Sequence, residues 1–270
     1  MNKTLILYNY YSYSPAVDYF MTYGVSEEAD VDYAFVINDP NEDSKEFRAK
    51  ELFDLNLPNV KFFHRENEGK DFGAYSYLLN LLKNDGLLDQ YDYFVFINQT
   101  MMGPFFPMWY DQKDHWSRIF TGMIDEEVKL CGPTINCHFM SSDAFMPHVQ
   151  SMFLATDRAG LDIAVEDGVF DADNVVKRHF DIIMQREIGF SRAIIQSGHN
   201  IACLMPAYAG HDFRDGPPEE PNNDPWSENS YFSTSLHPHD TIFFKINRRF
   251  GEKTLSNLIK WQERQLQLSS

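Results

Sequence analysis
The chain has 270 residues, 43% of them hydrophobic and 15% aromatic, with a formal net charge of −17. That is enough for one large domain with a sizeable core. The acidic balance argues against nucleic acid as the main partner, since phosphate binding needs clustered Lys and Arg, and against a surface for anionic lipids. A small phosphate-containing ligand, held by a few local cations and backbone amides, stays compatible with it.

In chain order, the apolar run 4–8 reads as a first strand, closed by the polar aromatic loop Asn9-Tyr10-Tyr11-Ser12-Tyr13-Ser14-Pro15. The run before it is too short for a signal peptide, and no stretch reaches membrane-spanning length, so a cytoplasmic protein without a membrane span is expected. A helix over 16–23 stops at Gly24, and a second strand over 31–38 ends in the turn signal Asn38-Asp39-Pro40. Next come a charged helix over 44–54, a short strand over 60–64, a helix over 75–83 and a strand over 93–97. The first hundred residues thus alternate strand and helix, the pattern of a parallel sheet covered by helices.

The second half changes character. Strands are expected over 129–136, 148–156 and 200–205, and helices over 159–164, 173–186 and 191–197. Residues 210–235, rich in Pro, Asn, Asp and Glu, read as a long loop, a lid or a partly disordered segment. An apolar run over 241–244, the cations Lys245, Arg248 and Arg249, and a surface helix over 252–268 complete the chain. One domain over 1–270 is expected, with halves at 1–110 and 111–270. Three cysteines, Cys131, Cys137 and Cys203, are too few for a disulfide framework and read as buried thiols.

Chemistry gathers at strand ends. In an open α/β sheet ligands bind outside the carboxyl ends of the strands, so the loops at Asn9–Ser14, Asn38-Asp39, Arg65–Asp71 and Asn98-Gln99-Thr100 converge on one edge. Asn38-Asp39-Pro40 alone serves an ordinary turn at least as well as a ligand. Gly69 and Gly73 flanking Lys70 and Asp71 at a helix start suit a ribose or phosphate, although Asp71 also fits a plain N-cap. Glu187 precedes a helix anchored by Ile188, Phe190, Ile194 and Ile195. A fixed carboxylate there can take a proton from an attacking hydroxyl. The local sequence leans slightly to the alternative, a glutamate favoured by the helix dipole. His237 and His239 flank Pro238 and cannot share a helical face, which leaves a weak metal site; Lys245 and Arg248 suit a diphosphate.

Taken together, Glu66 through Ala74, Phe96 through Thr100 with Gly103-Pro104, Glu187 through Ser191, and His237-Pro238 through Lys245 and Arg248 resemble a nucleotide-sugar glycosyltransferase of the single-domain GT-A type. More closely, they resemble the rhamnan-synthesis F family and related small glycosyltransferases of bacteria and large algal viruses. The motifs span nearly the whole chain, and their order carries more than any one of them. The resemblance implies a Rossmann-like α/β fold with a mixed, mainly parallel sheet flanked by helices. It implies a nucleoside-diphosphate sugar as donor, most plausibly a UDP-sugar, and a glycan or glycoprotein acceptor. Asn9, Tyr10, Asp39, Lys70 and Asp71 would line the nucleotide pocket, Gln150 and Ser151 would touch the donor sugar, and Glu187 would be the base of an inverting transfer. Asn98-Gln99-Thr100 falls where such enzymes carry Asp-any-Asp on a divalent metal. With neither outer acid present, Mn2+ or Mg2+ would sit loosely at Asn98, Thr100 and His237, or Lys245 and Arg248 would replace its charge. Tyr10, Tyr11, Tyr13, Phe105, Phe106 and Trp109 offer stacking faces, with core packing as the alternative use. Two other classes stay in view: a non-catalytic sugar or nucleotide-binding module, and a metal-dependent phosphohydrolase using His211-Asp212 with His237 and His239.

Overall fold
A computed structural model describes residues 2–38, 57–107, 110, 114–139, 145–174, 176–248 and 252–269. Asp39, Trp109, Arg249 and the helix expected over 44–54 lie outside them. The centre is a sheet of seven strands: β1 (Thr4–Tyr10), β2 (Val31–Ile37), β3 (Val60–His64), β4 (Tyr93–Asn98), β6 (Val128–Gly132), β9 (Phe153–Asp157) and β10 (Asn200–Cys203). They lie side by side in the order β10-β6-β9-β4-β1-β2-β3. Only β9 runs against its neighbours, pairing antiparallel with β4 and β6, so the sheet is mixed and mainly parallel, as expected. Two small ribbons lie outside it: β5 (Met101–Met102) with β11 (Phe244–Lys245), and β7 (Ile135–Phe139) with β8 (Phe145–Val149).

Both faces are buried, which explains why these strands are near-continuous hydrophobic runs rather than alternating ones. Leu5, Leu7, Val36, Phe94 and Phe96 point to one face. There helix α2 (Lys70–Asn84) lays down Phe72, Tyr75, Leu78, Leu79 and Leu82, a stripe at three- and four-residue spacing. Ile6, Tyr8, Tyr10, Phe35, Val95 and Ile97 point to the other. Helix α1 (Pro15–Tyr23) covers them through Val17, Phe20 and Met21, and helix α3 (Ser117–Thr121) through Phe120, beside Trp116. No described helix is long and apolar enough to cross a membrane.

Several expected elements resolve differently. The strand expected over 148–156 is two strands, β8 and β9, with Gln150 and Ser151 in the turn between them, not on a strand. The run 129–136 breaks at Pro133-Thr134 into β6 and β7. The helix expected over 173–186 begins only at His179, because its own Arg186 donates to the Gly168 carbonyl and, at 2.6 Å, to that of Asn174. Those bonds tie Gly168 and Asn174 to the helical run. From α5 (His179–Ile182) the chain passes through a π-helical turn, Ile183–Glu187, directly into α6 (Ile188–Gln196). Glu187 therefore lies inside a helical run rather than at a free helix start. Residues 210–235 form the long loop expected, tied to the core at intervals: Phe213 and Asn222 are buried, and the Asn222 carbonyl accepts from the Cys137 amide at 2.8 Å. The cysteines are free and buried, as expected, and helix α4 (Arg158–Glu166) starts on an Asp157 N-cap bond to the Gly160 amide.

Candidate active site
Strands β1 and β4 are neighbours, and chain order reverses between them: β2 and β3 continue on one side, β4 and β9 on the other. That is the topological switch point at which open α/β sheets bind ligands. Asn9 and Asn98 are register partners there, at the last paired position. Because side chains alternate along a strand, Asn9 emerges on the face of α2 together with Leu5 and Leu7. The Asn9 amide donates to one carboxylate oxygen of Asp71 at 2.5 Å, and the Asn98 amide to the other at 2.8 Å. Asn38 donates to the Asn9 carbonyl oxygen, and Arg65 donates to Asn38 at 2.9 Å. Asp71 thus closes a polar chain across the strand ends and does not cap its helix, where Gly69 holds the cap position in the left-handed region at φ 70°. Burial pushes the Asp71 carboxyl above the usual range against the two amides that favour its charge.

A second glycine shows how tightly this corner is folded. A side chain at Gly73 would place its Cβ 1.9 Å from the Glu68 carbonyl oxygen. Lys70, at φ 52°, is itself left-handed, and its ammonium donates to His179 Nδ1 at 3.1 Å.

In front of this corner opens a cleft of about 770 Å3, within the size range of small-molecule sites. Nine of the expected site residues line it: Lys70, Asp71, Asn98, Thr100, Gln150, Ser151, Glu187, Lys245 and Arg248. Asn9 lies behind it and acts on it through Asp71. Tyr10 is a correction: it points to the opposite face of the sheet and is 2% exposed in the core, away from the cleft. Phe105 and Phe106 are core residues as well.

Glu187 reaches the cleft from the π turn. Its Oε2 accepts the Ser151 amide at 2.8 Å, while Ser191, one helical turn on, accepts the Val149 amide at 3.0 Å. These two bonds clamp the helix to the end of β8. His148 Nδ1 donates to the Met146 carbonyl at 3.0 Å, which turns Nε2 toward Glu187 Oε1 at 3.5 Å. Burial pushes the Glu187 carboxyl up, but His148 and the Ser151 amide outweigh it, and the net displacement is below the usual glutamate range. A carboxylate has about four acceptor positions, so the Ser151 amide and His148 leave room for a ligand hydroxyl.

Lys245 arrives on β11, held by pairing of Lys245 with Met101 and by the Ile246 amide on the Thr100 carbonyl at 3.0 Å. Gly103 allows the ribbon to close, since a Cβ there would meet Phe243 at 2.5 Å and the Ile242 carbonyl at 2.6 Å. Burial and then the charge of Arg248 lower the Lys245 ammonium below its usual range. A bound anion would relieve both.

At Asn98 and Thr100 a divalent ion would find neutral donors already bonded to each other, with Asp71 the adjoining carboxylate and half of its acceptor positions in use. Asn98 Oδ1 already accepts from the Thr100 amide at 3.0 Å and the Thr100 hydroxyl at 2.6 Å, and both Asp71 oxygens take amide donors. His237 is corrected as a partner for Asn98 and Thr100: it is exposed, outside the cleft, and caps helix α7 (Pro238–Thr241) by accepting the His239 amide at 3.2 Å. Among the described residues no cluster of three His, Cys, Asp or Glu could hold a metal. His211 and Asp212 are likewise engaged locally, with the Gly216 carbonyl and Arg214, and are not part of the cleft lining. Asn136, His148, His179, Phe180 and Asp224 also line the cleft, although the sequence pattern does not single them out. Each is brought in by a break or turn that the hydrophobic pattern conceals, and Phe180 stands out only in the structure, where it is 59% exposed.

The chain matches the family described as rhamnan synthesis protein F over residues 34–217. No curated protein matches it significantly. Among solved structures it is similar to a mannosyltransferase from Pyrobaculum calidifontis in complex with GDP-Man and Mn2+, at 12% identity and a TM-score of 0.45, covering 74% of this chain and 54% of that one. The chain thus spans about half the length of that protein. It is also similar to a glycosyltransferase involved in the glycosylation of the major capsid of PBCV-1, at 12% identity and a TM-score of 0.40, covering 96% of this chain and 99% of that one. A third likeness is to a nucleoside-diphosphate-sugar pyrophosphorylase from Vibrio cholerae RC9, at 10% identity and a TM-score of 0.41, covering 73% and 91% respectively. Because the family match spans more than half of the chain, the chain belongs to the rhamnan synthesis protein F family, and glycosyl transfer is the class of activity that this membership supports.

Proposed function
We propose that the chain transfers a sugar from a nucleoside-diphosphate sugar to a hydroxyl of a glycan or glycoprotein acceptor. One observation carries this reading: a single cleft at the β1/β4 switch point holds the cations Lys245 and Arg248 together with the anchored carboxylate Glu187. Transfer needs both groups, one to offset the charge of a departing diphosphate and one to take a proton from the nucleophile. In the proposed step the acceptor hydroxyl gives its proton to Glu187 as its oxygen attacks the anomeric carbon. The bond from that carbon to the diphosphate oxygen breaks, and the nucleoside diphosphate leaves against Lys245 and Arg248. A single displacement of this kind inverts the anomeric centre. Lys70 and Asp71 belong to the nucleotide end, and Gln150 and Ser151 to the sugar. Tyr11, 46% exposed on the cleft, offers a face for the nucleobase, and Phe180 one for a sugar. No step is assigned to a divalent ion.

The test is a panel of UDP-, GDP- and dTDP-sugars, followed by melting temperature and by chromatography of released nucleoside diphosphate, in EDTA and in Mn2+. A UDP-sugar is the first arm. The expected result is stabilisation by at least one donor and release that persists in EDTA. No stabilisation by any donor at any metal level would overturn the reading. Stabilisation without release, with or without acceptor, would make the chain a binding module, and release abolished by EDTA would overturn the role given to Lys245 and Arg248.

A further inference from the structure
We infer that Asn38 is a positioning residue for the donor site: it fixes which way round the Asn9 amide lies and, through Asn9, holds the Asp71 carboxylate for the ligand. The inference rests on the donor reading above, which gives Asp71 to the nucleotide. Asn38 acts through Asn9 and not on a ligand. It is 2% exposed and is not part of the cleft lining, whereas Asp71 is half-buried and lines the cleft.

The direction of the amide chain carries the inference. A carboxamide has one end that donates and one that accepts, so each orientation suits a different set of neighbours. At Asn38 the choice is made from outside. Arg65 has donors and no acceptor, and its guanidinium donates to Asn38 Oδ1 at 2.9 Å. Asn38 Nδ2 donates to the Tyr10 carbonyl at 3.2 Å and to the Val36 carbonyl at 3.3 Å, both backbone acceptors that cannot turn round. The same nitrogen donates to Asn9 Oδ1. With its acceptor end taken, Asn9 presents Nδ2 to Asp71. Arg65 is itself held in place, by the Glu68 carbonyl at 2.8 Å and by the Tyr77 ring, whose centroid is 5.7 Å from the guanidinium carbon.

The other oxygen of Asp71 is served in the same way. The Thr100 amide and hydroxyl occupy Asn98 Oδ1, so Asn98 presents Nδ2 to the carboxylate. Each oxygen thus takes one amide and keeps an acceptor position for a ligand hydroxyl. Were Asn9 to turn round, its carbonyl oxygen would face the carboxylate, acceptor against acceptor. Asp71 would then lose a donor that favours its charge. Asn38 is the group that forbids this turn, an example of a site oriented by residues behind it.

The experiment is a double-mutant cycle on Asn38→Ala and Asp71→Asn, read by calorimetry with UDP, GDP and dTDP and by melting temperature. With Asp71 present, Asn38→Ala is expected to raise the dissociation constant of the nucleotide that binds the wild-type chain by about threefold to tenfold, the size of one hydrogen bond. In the Asp71→Asn chain the same change is expected to raise it by less than about twofold, since no carboxylate is left to hold. Asn38→Ser, which leaves a smaller hole, takes the place of Asn38→Ala if that chain fails to fold. Equal losses in both backgrounds would overturn the inference, because Asn38 would then act independently of Asp71. So would an unchanged constant in the Asp71 background. Should Asp71→Asn bind too weakly to measure, the melting temperatures decide. The double variant is then expected to lose less than the sum of the two single losses, and a loss equal to that sum would overturn the inference. A wild-type chain that binds none of the three nucleotides would overturn the donor reading instead, and the melting-temperature cycle would still decide whether Asn38 holds Asp71.

Discussion

At the scale of single residues the chemistry turns on how Glu187 is held. Its carboxylate is anchored by the Ser151 amide and faced by His148, whose other nitrogen is committed to the Met146 carbonyl. With Nδ1 committed and Nε2 facing the carboxylate at 3.5 Å, His148 is a positioning residue and Glu187 the group left to receive a proton. The Glu187 carboxyl titrates below its ordinary value despite burial. Its ionised form therefore contributes stability that is present above the unfolded pKa and is lost as pH falls through the folded one. His148→Gln removes the main influence opposing burial, so the carboxyl moves up. The acid limb of kcat/KM should then shift to higher pH, with donor affinity at neutral pH retained. A pH profile identical to wild type would show that His148 does not set the base.

At the scale of elements, the β5–β11 ribbon delivers the cations. Gly103→Ala should force Phe243 and the Ile242 carbonyl away, lowering the melting temperature and weakening diphosphate binding together, at a cost of about 1–3 kcal/mol by analogy with overpacked cores. A variant with wild-type stability and affinity would mean that the ribbon has slack. Lys245 makes the opposite case. Burial and Arg248 both disfavour its charge. Lys245→Met should therefore keep or raise the melting temperature while lowering nucleoside-diphosphate affinity about tenfold or more, a stability–function trade-off. A drop in stability with affinity intact would remove Lys245 from the diphosphate site.

The same elements show how far the sequence is legible. The polar stop of β4 at Asn98 is readable because an apolar run ends there, and the Gly69–Gly73 corner because two glycines flank a charged pair at a helix start. The turn at Gln150–Met152 carries no Gly or Pro and is hidden inside an apolar stretch, so the hydrophobic pattern runs His148 and Gln150 into one strand with Phe153 through Thr156. The π turn that ends in Glu187 has no local signal, and Arg186 within it bonds two carbonyls far back in the chain. Asp224 sits in a polar segment whose packing rests on long-range bonds such as that from Cys137 to Asn222.

At the scale of the whole molecule, the arrangement follows from where the sheet reverses. The alternation of strand and helix in the first half predicts the parallel part, and with it the edge on which Asn9, Asp71 and Asn98 meet. What it does not predict is that β9 inserts antiparallel beside β4 and carries the β8–β9 turn to that edge. The turn brings Ser151, and through it Glu187, to the cleft. A molecule of net charge −17 thus places Lys70, Lys245 and Arg248 in one cleft, beside the carboxylates of Asp71, Glu187 and Asp224.

The most direct measurement is single-turnover release of nucleoside diphosphate from a bound donor in EDTA, with water as acceptor, for the wild-type chain and Glu187→Gln. The wild type is expected to release nucleoside diphosphate and free sugar in equal amounts. Glu187→Gln should bind the donor with the same affinity and release it about 10²- to 10⁴-fold more slowly, the range of a lost general base. Equal rates in the two chains would contradict the account.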